Sequence, residues 1–337
     1  MKKNVVLTML LLTVVTVSVS KGQSEGKVIR LGIIGLDTSH VTAFTKIIND
    51  PKNKTGCRVV AAYPGGSPDI PASADRLDMF TNRMRDHFKV EIVSSIEELC
   101  RKVDGVLLES NDGRIHLKQA RLVIAAGKPV FIDKPMAASL ADVMEIFQLA
   151  RENNVPCWSS SCTRYSQYVL GLRDNEKIGE IVGCYTYSGC PTEEHHPDLY
   201  WYGVHGAEML FTIMGTGCEQ VTRVHSSNTD VVVGLWKGGR TGTYRGKRLG
   251  RGHGAVVFGS KGTDHTNKFD GYGPLCDEIG KFFRTKKAPV PAEITIEIFA
   301  FMTAAEESKK AGGATVSIAS VIEKAQKKNK LRRAQRK

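Results

Sequence analysis

The chain has 337 residues, 41% of them hydrophobic and 24% charged, with 47 Lys and Arg against 35 Asp and Glu and a formal charge of +12. This length sustains two domains with full-sized cores. The excess charge is no nucleic-acid footprint: Lys2, Lys3 and Lys21 open the chain, eight Lys and Arg crowd into residues 324–337 where no acid stands, and the body between them is nearly neutral.

Residues 1–22 read as a signal peptide, with a basic start, an apolar run from Val5 to Val19, and small residues at Ser18, Ser20 and Gly22. The run is shorter than the roughly 20 residues of a spanning helix. Export to the periplasm on a Sec-type signal is therefore expected, with no stable membrane insertion after cleavage. The eight cysteines form no C-x-x-C pair. They read as small buried thiols rather than ligands, and no metal site is expected.

From residue 28 apolar runs alternate with helical patterns. VIRLGII is a strand, Ser39 to about Asn49 a helix, RVVAAY a second strand, and residues 73–86 a helix. KVEIV, DGVLLES, KPVFID and VPCWS continue the strands. Ser95 and Glu98 stand in capping-box spacing, and Gly127 is a helix stop. This rhythm predicts a Rossmann-like parallel sheet over residues 27–160. From 161 to 318 strand-like runs separated by turn signals predict an α+β domain with an open, mainly antiparallel sheet. Its open face leaves room for self-association. Residues 319–337 read as a solvated basic tail.

The turn GLDTSH after the first strand departs from the G-x-G-x-x-G pattern of a dinucleotide cradle, because Asp37 and His40 replace two glycines. Gly32 and Gly35 still allow a tight bend, and Thr38 and Ser39 offer hydroxyl donors beside free helix N–H groups. Asp37 opposes pyrophosphate unless its carboxylate turns toward the backbone as a helix cap. The second strand ends in Tyr63, Pro64, Gly65, Gly66 and Ser67, with no acid for a ribose hydroxyl until Asp69. NAD and NADP both stay open. Ser110 and Asn111, closing the fourth strand, join the candidate cofactor residues.

The run RIHLKQARLVIAAGKPVFIDKP, with His116, Gly127, Asp133 and Lys134, resembles the segment ending in Glu-Lys-Pro of the Gfo/Idh/MocA oxidoreductases, and APVPAEITIEIFAFMTAAEESKKAGG resembles their last segment. WYGVHGAEMLF is similar to their second-domain Asp-x-Gly-x-His helix, with Gly203 and His205 in place and Trp201 where the acid stands. The resemblance implies an NAD(P)-dependent oxidoreductase acting on a sugar, polyol or glycoside, with Lys134 and His205 catalytic. A redox-neutral glycosidase and a non-redox carbohydrate-binding or metal-assisted protein on the same fold are the alternatives. Lys134, at the end of a buried strand, suits proton exchange with a hydroxyl, and Asp133 suits orienting it. Glu208, three residues after His205 on one helix face, suits orienting the imidazole. Arg164, His195, His196 and Tyr202 complete the candidate substrate residues, the last three in a loop whose aromatics and carboxylates suit a carbohydrate.

Overall fold

The computed structural model describes residues 28–250 and 252–335; the candidate signal peptide lies outside them. The first sheet holds six parallel strands in the order β3-β2-β1-β4-β5-β6. These are β1 (Ile29–Ile34), β2 (Cys57–Tyr63), β3 (Glu91–Ile92), β4 (Gly105–Leu108), β5 (Val130–Ile132) and β6 (Cys157–Ser159). The connecting helices are α1 (Ser39–Ile48), α2 (Pro71–Asp86), α3 (Ile96–Lys102), α4 (His116–Ala125) and α5 (Leu140–Glu152). This is the expected Rossmann-like arrangement. The strands are apolar runs because both faces of the sheet are covered; β4 and β5 are buried throughout.

Local chemistry sets the helix starts. Ser95 Oγ accepts from Glu98 N at 3.1 Å, whereas the Glu98 carboxylate returns to Ser94 rather than Ser95, one residue wider than the box expected. Ser139 Oγ likewise accepts from Asp142 N. Gly32 lies within β1, where a Cβ would meet Leu99 of α3 at 2.9 Å. It permits sheet–helix packing rather than the bend.

A short helical turn (Cys162–Tyr165) and α6 (Gln167–Arg173) lead into the second sheet, whose order is β12-β11-β7-β10-β9-β8-β13. Its strands are β7 (Ile181–Gly189), β8 (Cys218–His225), β9 (Thr229–Trp236), β10 (Thr241–Lys247), β11 (Gly254–Gly259), β12 (Thr263–Thr266) and β13 (Val316–Ser317). The pairings are antiparallel except that β10 runs parallel to β7, so the sheet is mixed. One face, with Val232, Trp236, Tyr244 and Val257, packs beneath α7 (Val204–Met214) and α9 (Ala292–Lys310). The other leaves Val233, Leu235 and Phe258 exposed.

Two late helices return to the first sheet. In α8 (Gly273–Thr285), Phe282 and Phe283 pack with Trp158 and Leu31, and a Cβ on Gly105 would strike Phe283 at 2.4 Å. The second return corrects the expectation of a solvated tail: Ile318–Ala334 form α10, a 17-residue helix lying on α5. Asn329 Nδ2 donates to the Ala141 carbonyl at 2.7 Å, Arg332 pairs with Asp142 at 2.6 Å, and Arg333 reaches Glu145 and Glu152. The basic run is complementary to an acidic helix face far away in sequence. All eight cysteines are free thiols, seven of them buried.

Candidate active site

A cavity of about 890 Å³ opens between the carboxyl ends of the first sheet and the second domain. Its first wall is the amino terminus of α1, with Thr38, Ser39 and His40. Thr38 is the helix cap, but its side chain makes no capping bond. The amino end of α1 therefore faces the cavity with N–H groups and the Thr38 hydroxyl, a setting that attracts anions. Gly35 makes this turn possible: its φ is +91°, and a Cβ would stand 2.3 Å from Ser110 Cα.

Lys134 stands just beyond β5, its Nζ 4.6 Å from the centre of the Tyr202 ring. Tyr202 and Trp201 sit in a wide helical turn, Leu199–Gly203, that runs directly into α7. His205, one turn along, faces the same cavity. Its Nδ1 lies 2.7 Å from Ser161 Oγ, and Thr163 Oγ1 donates to its carbonyl, which fixes the ring and leaves Nε2 toward the cavity. Burial, followed by the nearby charges of Lys134, His40 and His253, holds the His205 pKa well below the usual imidazole value. It is a neutral imidazole beside an ammonium.

Asp133 does not turn its carboxylate to Lys134 Nζ. Its Oδ1 accepts from Lys134 N at 2.8 Å, and its Oδ2 lies 2.5 Å from His40 Nδ1. Burial pushes the Asp133 pKa up, but the charge and hydrogen bond of His40 outweigh it and leave the pKa below the usual carboxylate value. His40 stacks on Phe44 and meets the edge of Tyr272, and it lines the cavity. Sequence reading registered His40 only as a missing glycine. The signal that an imidazole stood within reach of the motif aspartate was not local.

Several expected site residues are engaged elsewhere. Asp37 is fully buried and is not a helix cap: Oδ2 accepts from Ser73 Oγ at 2.5 Å and Oδ1 from Asn111 N at 3.0 Å. Its charge does not point at the cavity, and burial raises its pKa against the pull of those two bonds. Ser110 Oγ donates to Gln119, and neither Ser110 nor Asn111 lines the cavity. Arg164 is ion-paired with Glu208, which also accepts from Ser160 Oγ at 3.0 Å; Glu208 thus orients Arg164 and not His205. His196 is buried between Glu193 at 2.9 Å and Asp112 at 3.2 Å and accepts from Gly113 N. His195 bonds Glu193 at 2.8 Å and does not line the cavity. Glu193 holds both histidines of this loop.

The loop owes its position to a buried ionic cluster. Arg223 of β8 donates to Asp198 at 2.7 Å, Glu306 at 2.8 Å and Asp230 at 2.8 Å, while Glu306 accepts from Leu199 N. Arg248, which lines the cavity, pairs with Asp230. Together with Arg76 and Lys134 it gives the lining three cations, and no Asp or Glu lines it among the described residues. No cluster of His, Cys, Asp and Glu suited to a metal ion occurs among the described residues.

Residues 29–161 match the model of the Gfo/Idh/MocA oxidoreductases, described as an oxidoreductase family with an NAD-binding Rossmann fold. The match covers 133 of the 337 residues, the part that forms the six-stranded sheet and its helices. The uncharacterized oxidoreductase YhhX of Escherichia coli is 24% identical over 138 residues, 37% of this chain and 40% of that one, so the match spans under half of the relative's length. Solved structures of similar fold include myo-inositol 2-dehydrogenase from Lactobacillus plantarum (TM-score 0.70, 17% identity, covering 86% of this chain and 99% of that one). Another is scyllo-inositol dehydrogenase from Lactobacillus casei with bound NAD(H) and scyllo-inositol (TM-score 0.71, 15% identity, covering 87% and 100%). At the carboxyl ends of this Rossmann sheet, the cavity residues fit the nicotinamide and phosphate part of a dinucleotide. Gly35 gives the turn its left-handed bend, the amino end of α1 is free to meet phosphate, and the Asp37 charge is turned away.

Proposed function

We propose that the cavity is the active site of an NAD(P)-dependent oxidoreductase that removes hydride from a hydroxyl-bearing carbon of a sugar, polyol or glycoside. The observation that carries this reading is the meeting of Lys134, His205 and the amino end of α1, from two domains, around one cavity. Bound nicotinamide supplies the hydride acceptor. Thr38, Ser39 and the first N–H groups of α1 hold its phosphate. The Lys134 ammonium donates a hydrogen bond to the reacting hydroxyl oxygen and stabilises negative charge developing there. Neutral His205, anchored at Nδ1 by Ser161, accepts the hydroxyl proton at Nε2.

The lining refines the substrate class. Arg76 and Lys134, with Arg248 already paired to Asp230 and no carboxylate in the lining among the described residues, favour a substrate that itself carries negative charge, a sugar acid over a neutral polyol.

The test starts from the protein purified without its first 22 residues. Stoichiometric nicotinamide released on denaturation, or NADH or NADPH bound on titration, supports the reading. Absence of both removes it. Lys134→Met should abolish turnover while leaving the circular dichroism unchanged; unaltered rates would take Lys134 out of the mechanism.

Export and self-association belong to the same proposal. Cell fractionation should recover the protein in the periplasm with its amino terminus near residue 22. Light scattering should show an oligomer that Val233→Lys dissolves, through the exposed face with Leu235 and Phe258.

A further inference from the structure

In an open parallel sheet the ligand crevice lies above the carboxyl ends of the strands, where the strand order reverses. Here that point is between β1 and β4. The crevice is filled by the chain's own side chains. Asp37, at the place of the second glycine of a dinucleotide turn, spans it from Ser73 of α2 to Asn111 after β4. Beside it Ser67 Oγ donates to Asp112 at 2.7 Å, and Arg114 joins Asp112 to Asp69, with Nη2 at 2.8 Å from each. The backbone closes the floor: Gly35 N donates to the Tyr63 carbonyl at 3.0 Å and Leu36 N to the Pro64 carbonyl at 2.7 Å.

Asp37, Ser67, Ser73, Ser110, Asn111 and Asp112 are all buried, and none lines the cavity. The cavity ends on this side at Thr38, Ala72 and Arg76. An adenosine placed between β2 and β4 in the usual manner would have to displace hydrogen bonds to two buried carboxylates. Stranding such groups costs more than ordinary contacts return.

We infer that this chain separates the two halves of a nicotinamide dinucleotide: it binds the nicotinamide mononucleotide half and has no berth for the adenosine monophosphate half between the ends of β1, β2 and β4. This rests on the nicotinamide reading above. The second-glycine substitution thereby acquires a function, because its carboxylate is the bolt that shuts the berth.

Binding alone tests it. The purified protein is titrated with NADH and with reduced nicotinamide mononucleotide, each in the presence and absence of millimolar ADP. The mononucleotide should bind within about tenfold of NADH, and ADP should displace neither. Asp37→Gly should open the berth: ADP then competes, and NADH tightens by about tenfold or more while the mononucleotide is unchanged. If Asp37→Gly does not fold, Ser73→Ala, which removes one end of the bridge, should gain ADP competition in the same direction. Displacement of NADH by ADP from the unmodified protein, or NADH affinity more than about a hundredfold above the mononucleotide, would overturn this inference and leave the nicotinamide reading standing. Failure of both nucleotides to bind would remove both.

Discussion

His40 Nδ1 lies 2.5 Å from Asp133 Oδ2, and both side chains are buried, so the first turn of α1 is pinned to the end of β5 by a pair 93 residues apart in sequence. A glycine at position 40 would let helix and strand approach; this imidazole instead occupies the space and fixes the residue preceding Lys134. Removing one partner of such a pair leaves the other uncompensated.

His40→Ala should therefore cost about 3–5 kcal/mol in urea unfolding. The double variant His40→Ala with Asp133→Asn should recover part of that loss, since no buried charge is stranded. Strict additivity of the two single variants would show that the residues do not interact. The Asp133 pKa is lowered in the fold, so its contribution is present above the unfolded carboxylate pKa and is lost as pH falls through the folded value.

Glu109 has the opposite sign. It is buried at the end of β4, neither carboxylate oxygen has a hydrogen-bond partner among the described residues, and burial with the added charge of Asp133 pushes its pKa well up. The folded state then holds the proton more tightly than the unfolded chain, so stability falls as pH rises from the unfolded value through the folded one. The slope is at most about 1.4 kcal/mol per pH unit for one proton. Glu109→Gln should remove this decline, gaining on the unmodified protein as pH rises above the unfolded glutamate value. Parallel stability curves would contradict it.

Arg223, only 1% exposed, is the hub through which Asp198, Asp230 and Glu306 hold the loop before α7. Arg223→Met should destabilise by about 3–5 kcal/mol. It should also displace Trp201 and Tyr202, read as a shift of tryptophan emission. A stable variant with unchanged emission would show that the cluster does not position the site.

The cation-lined cavity gives an ordering of substrates. With nicotinamide supplied, aldonates and uronates should be oxidised with kcat/KM at least about tenfold above that of the matching neutral polyols. Arg76→Ala should narrow that gap. Equal rates for acid and neutral partners would remove charge from the specificity.

Much of this architecture was legible in the sequence because its signals are local. The six strands of the first sheet announce themselves as apolar runs, Ser95 as a helix cap, and Lys134 as the residue closing the fifth strand. What stayed hidden depends on partners far away along the chain. Asp37 read as a hazard to phosphate because Ser73 and Asn111 lie 36 and 74 residues off. His196 read as a substrate ligand because its anchor at Gly113 is 83 residues away. The basic run of α10 contains no acid of its own; Asp142, Glu145 and Glu152, which receive it, sit on α5.

The most direct test uses the cavity's own fluorophore. Trp201 lines the cavity, whereas Trp158 and Trp236 are fully buried in the cores. Titration with NADH or NADPH, exciting tryptophan and reading reduced-nicotinamide emission, should give saturable energy transfer that falls sharply in Trp201→Phe, while calorimetry shows that the variant still binds. No saturable signal and no binding heat with either nucleotide would contradict a nicotinamide-dependent site.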